Sequence, residues 1–414
     1  MEFAVPDRNL LYYAAPAAIA ACGDQDRLIS EALDQPIGAG RLEETIPVGA
    51  KVLIIIDDIT RPTPQQRILP HVLRRIEQAA PRQIKLMIAP GTHRPLTEAE
   101  LLQKVGPAIL GRYEIINPNY QESHFHYLNT TELGTPVEVY PEVLESDFKI
   151  AIGNIVPHVV VGWSGGAKMI QPGVCGKRTT DYTHWIGAVK TDLMGVCGAI
   201  DNLCRAEIDR IGEMVGLDFI INTVLDEERN ILKLFAGHFL EAHRAGVRFA
   251  DQVLRPEIPE LADILVVSAN PCFIDYWQGF KPFAFAQFGV KKGGTIIFVL
   301  DAPEGLCGNA PSHQQAVYEG FRMTPPAIID GVNRGAIRDI VGATNPLNHF
   351  KLIDRADVIC VSQYLTEEEL RLLRFRRAND VNAALEMAFE RHGADAKVGI
   401  IPYGGETLVR LKTL

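Results

Sequence analysis

The sequence lacks any pair of cysteines at zinc-knuckle or redox spacing. Its seven cysteines, at 22, 175, 197, 204, 272, 307 and 360, form an odd, scattered set with no Cys-x-x-Cys. A zinc knuckle or disulfide frame is thereby excluded, and free thiols in a reducing cytoplasm are expected. Positive charge is also short: 41 Lys and Arg stand against 51 Asp and Glu, a formal net charge of -10. Nucleic-acid binders carry the opposite balance, so no nucleic-acid partner is expected, while a locally basic pocket for a small anion stays open. No apolar run approaches the roughly 18 residues of a membrane span. The start, Met1-Glu2-Phe3-Ala4-Val5-Pro6-Asp7, lacks the basic-then-apolar layout of a signal peptide. A cytoplasmic protein without membrane contact is the expectation. Two nucleotide signatures are missing as well. No Gly-Lys-Ser/Thr occurs in the glycine-rich turn before Lys168, and no Gly-x-Gly-x-x-Gly follows a strand with an acid about 20 residues on.

What is present is an ordinary globular composition, 47% hydrophobic and 22% charged, over 414 residues, enough for two or three domains. Leu53-Ile54-Ile55-Ile56 is a continuous apolar run, the mark of a strand buried on both faces. It leads into Asp57-Asp58-Ile59-Thr60-Arg61-Pro62 and then a helical pattern. The same logic repeats at Lys85 to Ala89, where Pro90-Gly91-Thr92-His93-Arg94-Pro95 precedes a capping-box helix start at Thr97. It repeats again at Phe148 to Val156, which leads into His158 and the turn Gly162-Trp163-Ser164-Gly165-Gly166-Ala167-Lys168. Polar groups just past three strand ends converge on one sheet edge, where open α/β sheets bind ligands. A helix starting at the glycines would aim free N–H groups at an anion. After Pro256-Glu257-Ile258-Pro259 a second α/β run follows, with strands near 264–268, 295–299, 358–361 and 398–401 and a loop from Asn270 to Lys281. The fold class expected is α/β, as two α/β domains with a cleft between them.

Each candidate residue has a plain reading beside a chemical one. His93 and His158 sit in loops at equivalent strand ends, suited to moving protons near neutrality. Arg61 with Asp58 is either a local salt bridge or a guanidinium fork for carboxylate or phosphate. Lys168, with no acidic neighbour, suits phosphate contact or a covalent amine role. His184 reads as a core histidine or a metal ligand, and His124 with His126 as a metal pair on paper only. Lys281 reads as a surface lysine or a cleft cation. Spacing alone gives a small-anion enzyme with two histidines and an unusual lysine.

Taken together, these blocks resemble the nickel-pincer-nucleotide lactate racemase family across nearly the whole chain. The markers are Asp58-Ile59-Thr60-Arg61-Pro62, Gly91-Thr92-His93-Arg94-Pro95, His158 with Gly162 to Lys168, Pro172-Gly173, His184, Gln278-Gly279-Phe280-Lys281 and Ile401-Pro402. The resemblance implies a first domain over 1–255, joined by a C-terminal tail over 394–414, and a second over 256–393 that closes the substrate cleft. It implies a nickel-pincer nucleotide, a pyridinium-derived mononucleotide bearing nickel, tethered through Lys168 as a thioamide with His184 as the protein ligand to nickel. Asp58, Thr60, Ser164, Gly165 and Gly166 would border that cofactor. His93 and His158 would be the acid/base pair, and Arg61, Lys281 and Gln278 would meet the substrate. The implied reaction inverts C2 of a 2-hydroxy acid by hydride transfer to and from the cofactor, and proteins that build the nucleotide are implied partners. The segment Gly342 to Asn348 lacks a tryptophan that lactate racemases carry there, so a larger or more polar 2-hydroxy acid stands beside lactate. A dehydrogenase-like enzyme using free nicotinamide dinucleotide and a non-catalytic carrier of the nucleotide are the other readings.

Overall fold

The computed structural model describes residues 2–121 and 124–412. Two six-stranded sheets form its two halves. The first runs, edge to edge, Ile231–Gly237, Phe219–Leu225, Phe148–Asn154, Lys51–Asp57, Gln83–Ala89 and Glu114–Ile116. All its pairings are parallel except that of Ile231–Gly237 with Phe219–Leu225. The apolar run Leu53 to Ile56 is fully buried because helices cover both faces, as continuous apolar strands require. The register pairs Ile56 with Ile152 and Asp57 with Ala89. Three strand ends therefore lie side by side, and the loops carrying Asp58, His93 and His158 are neighbours.

The second sheet is entirely parallel, in the order Leu10–Tyr13, Val398–Ile401, Ala262–Ser268, Val290–Val299, Asp357–Val361 and Arg376–Ala378. Both chain ends thus contribute strands to the second half. This differs from the expectation for the strands Leu10–Tyr13 and Val398–Ile401, which the resemblance assigns to the first domain. Val398 and Ile400 complete an apolar surface with Ile264 and Val266. Only the last stretch returns: the Leu408 N–H donates to the Leu254 carbonyl at 3.0 Å, and Glu406 meets Arg229 of the hairpin beside the first sheet's edge strand.

A second correction concerns the loop expected from Asn270 to Lys281. A helix starts at Tyr276 and runs to Ala286, so Gln278 and Lys281 stand on its first turns. Asp275 caps it, its carboxylate accepting the Gln278 N–H at 2.9 Å. Pro282, which lacks a donor and suits a helix start, sits inside this helix, whereas the pattern places a helix near 282–290. The helix expected at the glycines is only a 3-10 turn, Gly166–Met169. His184 lies on Lys177–Lys190, which packs on Ile340–Phe350 of the second half. His124 and His126 are exposed, and among the described residues no group of three His, Cys, Asp or Glu could hold a metal. No described helix is long and apolar enough to cross a membrane.

Candidate active site

A cleft of about 180 Å³ opens between the two halves. Asp58, Arg61, His93, His158, Ser164, Gly165, Lys168 and His184 line it from the first sheet's side, and Trp277, Gln278, Phe280 and Lys281 from the other. Thr60 and Gly166, expected at the cofactor, are not among the residues lining it; Thr60 is bonded to the lining residues Asp58 and Arg61, and Gly166 follows Gly165.

Hydrogen bonds close a ring across the cleft. His93 Nδ1 lies 2.6 Å from Asp58 Oδ2, and His93 Nε2 lies 2.9 Å from the Gln278 side-chain amide nitrogen. The Gln278 oxygen accepts from Arg61 at 3.2 Å. Arg61 also donates to the Thr60 hydroxyl at 2.9 Å, and that hydroxyl donates to Asp58. Because Gln278 accepts from Arg61 through its oxygen, its nitrogen donates to His93. His93 therefore carries its hydrogen on Nδ1, toward Asp58, and a lone pair on Nε2. Burial opposes the Asp58 charge, but His93 and then Arg61 hold its carboxyl well below the usual range.

His158 is set the other way. Its Nδ1 accepts the N–H groups of Val160 at 3.2 Å and Val161 at 3.4 Å, so the ring hydrogen is on Nε2. Burial, then Lys168, Lys281 and Arg61, push its pKa well below the ordinary value and keep it neutral. The two histidines thus hold opposite tautomers, one an acceptor and one a donor at Nε2.

Lys168 forms no ion pair or side-chain hydrogen bond among the described residues. Burial, then Arg61, Arg205 and Lys281, lower its amine to about 7 against the pull of Asp58. Burial also lowers Lys281, with Arg61 adding to it. His184 Nδ1 donates to the Thr180 carbonyl at 2.8 Å, which leaves the Nε2 lone pair available. Burial drops its pKa to about 4, so it is neutral and fit to ligate a metal.

The glycine turn is held from below by residues that sequence reasoning missed. Gly165 and Gly166 have φ of +76° and +59°. A Cβ at Gly165 would stand 2.8 Å from Asn222 Oδ1, and one at Gly166 2.9 Å from the His243 ring. The Gly166 N–H donates to Asn222 at 2.8 Å, and the Ser164 hydroxyl is tied to the Asn154 carbonyl and the Val156 N–H. Arg205, 1% exposed, donates to the carbonyls of Trp163 and Gly165, while His243 lies 2.8 Å from the Ser164 carbonyl. Asn222 carried a signal, a polar residue inside the buried strand Phe219–Leu225. Arg205 and His243 sit on buried helix faces and carried none. A bond from the Gly91 N–H to the Gly173 carbonyl at 3.0 Å ties this region to the His93 loop.

Fold and cleft together define a two-domain α/β protein that gathers cations and two complementary histidines at the meeting of its sheets. Residues 1–193 match the lactate racemase N-terminal domain and residues 259–409 the lactate racemase C-terminal domain. The chain is 28% identical over 392 residues to the lactate racemase of Lactiplantibacillus plantarum, covering 93% of this chain and 91% of that one. It is 25% identical over 395 residues to the lactate racemase of Thermoanaerobacterium thermosaccharolyticum, covering 94% and 91%. The structure of the latter's apoprotein matches at a TM-score of 0.85 over 99% of this chain and 97% of that one, at 25% identity. A protein from Thermotoga maritima, at TM-score 0.74 and 21% identity over 94% and 98% of the two chains, shares the fold. The chain belongs to the lactate racemase family and is an isomerase of the racemase type.

Proposed function

We propose that this protein inverts the C2 centre of a 2-hydroxy acid, lactate or a larger relative, with a nickel-pincer nucleotide bound in the cleft. The observation that carries this reading is the pair of histidines in opposite tautomers beside two cations on facing domains. Arg61 and Lys281 hold the substrate carboxylate, Arg61 through a planar fork and Lys281 as a point charge. Binding displaces the Gln278 oxygen from Arg61 and exposes His93 Nε2. His93 then takes the hydroxyl proton as C2 becomes planar, and Asp58 steadies the resulting imidazolium through Nδ1. His158 faces the same cleft with a hydrogen on Nε2 and hydrogen-bonds the oxygen when the carbonyl turns to its side. General acid–base help of this kind is worth about 10²–10⁴-fold.

The residues present fit the nucleotide. An unpaired, partly unprotonated Lys168 amine suits a covalent tether, and a neutral His184 with a free Nε2 suits nickel. Ser164 and Gly165 would border it at the turn and Asp58 at the first loop, with Thr60 bonded to Asp58 and Gly166 next along the turn. The chemistry that the nucleotide supplies when bound is that of a hydride acceptor and donor. Domains divided near residue 256 would let the second half close over the substrate, in a cytoplasm that also holds the proteins that build the nucleotide.

The test is nickel content and denatured intact mass, with protein made alongside the cofactor-synthesis enzymes, for wild type and Lys168→Ala. Near-stoichiometric nickel and a mass adduct lost in the variant support the reading. Neither, in a host that loads a known racemase, overturns it.

A further inference from the structure

Lys168 is an amine in the cleft whose surroundings make it a nucleophile before any cofactor arrives. It lines the cleft, pairs with no carboxylate, and shares the space with the cations Arg61 and Lys281. Desolvated lysines beside other cations are the ones that react with carbonyl compounds. The charged groups acting on it are Arg61 beside the first strand, Arg205 from the helix below, Lys281 from the second domain and, in opposition, Asp58. With its amine lowered to about 7, a sizeable neutral fraction is present near neutrality.

We propose that in the unloaded protein Lys168 captures small 2-keto acids as an imine. This rests on the reading of Arg61 and Lys281 as the carboxylate clamp. The clamp selects the class: a carboxylate anchored there brings an adjacent carbonyl carbon into the cleft that Lys168 lines, whereas an aldehyde without a carboxylate has no such anchor. In the reaction the Nζ lone pair attacks C2, a C–N bond forms, and the carbonyl oxygen leaves as water with the two amine hydrogens. No oxidant or reductant takes part. The imine blocks the amine that a thioamide tether needs, so keto acid and cofactor loading exclude each other.

The experiment treats purified unloaded protein with pyruvate and cyanoborohydride, which reduces an imine to a stable secondary amine. The expected intact mass gain is one pyruvate less one oxygen atom, mapped to the peptide holding Lys168. Lys168→Arg, which keeps the charge and is checked for an unchanged melting temperature, gains nothing. Acetaldehyde at the same concentration labels Lys168 about tenfold more slowly, since it lacks the positioning carboxylate. Pyruvate binding is measured in parallel by calorimetry. Binding without labelling overturns the capture and leaves the clamp standing. Absence of both overturns the clamp as well. Equal labelling of wild type and Lys168→Arg also overturns the proposal, because the reactive amine then lies elsewhere.

Discussion

The side-chain amide of Gln278 lies 2.9 Å from His93 Nε2, joining the second domain to the histidine that Asp58 orients in the first. On the proposed roles, this bond occupies the place of a substrate hydroxyl at His93, and the Gln278 oxygen on Arg61 occupies that of its carboxylate. Removing the amide leaves His93 and Arg61 unshielded but weakens the bridge between domains. With Gln278 read as meeting the substrate once it is displaced, Gln278→Ala is expected to lose about tenfold in kcat/KM, near 1.4 kcal/mol, the scale of one hydrogen bond given to the substrate. Steady-state kinetics on the loaded enzyme check this, and an unchanged kcat/KM contradicts it.

Asp58→Asn removes the carboxylate charge beside His93 Nδ1, which in the proposed mechanism steadies the ring as it takes the hydroxyl proton, while keeping the side chain's size. The expected loss is about 10²–10⁴-fold in kcat with little change in KM, because Arg61 still meets the carboxylate. A loss confined to KM would place Asp58 in binding instead.

Lys104 supports the same loop from behind. It pairs with Asp57 at 2.7 Å and donates to the Asp58 and Arg61 carbonyls at 2.8 Å each, with its own side chain 3% exposed. Lys104→Met leaves Asp57 buried without its cation. A destabilisation of about 3–5 kcal/mol is expected, read as a shift in the denaturant midpoint.

Asp275 caps the helix carrying Gln278 and Lys281, and burial raises its carboxyl to about 7 against the pull of two backbone N–H groups. An unfolded aspartate titrates near about 3.9. With the folded value raised, its contribution is whole below about pH 4 and is lost as pH rises through about 7. The wild type's melting temperature should therefore fall more between pH 5 and 8 than that of Asp275→Asn. Parallel profiles would show that Asp275 does not titrate in this window.

Much of the site was legible because it lies in short blocks fixed by strand ends: an apolar strand announces itself, and the loop after it is where ligand groups gather. Asp58, His93, His158 and Lys168 come together for that reason. What stayed hidden depends on distant pairings. Leu10–Tyr13 is four residues long and pairs with Val398–Ile401 at the other end of the chain, which no local pattern encodes. The start of the helix under Gln278 was misplaced at Pro282, because the true start rests on one cap at Asp275. Asn222, Arg205 and His243 act through backbone groups of the glycine turn, a relationship that exists only once helices and strand are packed. Tautomers, likewise, follow from partners that the sequence does not place in contact.

The most direct test of the central claim is chiral analysis of single 2-hydroxy acid enantiomers, lactate first and then larger acids, incubated with nickel-loaded protein in deuterated water. Inversion from either enantiomer, with the C2 hydrogen largely retained as protium, is the predicted result. No inversion of any acid by protein proven to carry nickel, or full deuterium uptake at C2 in a single inversion, would contradict it.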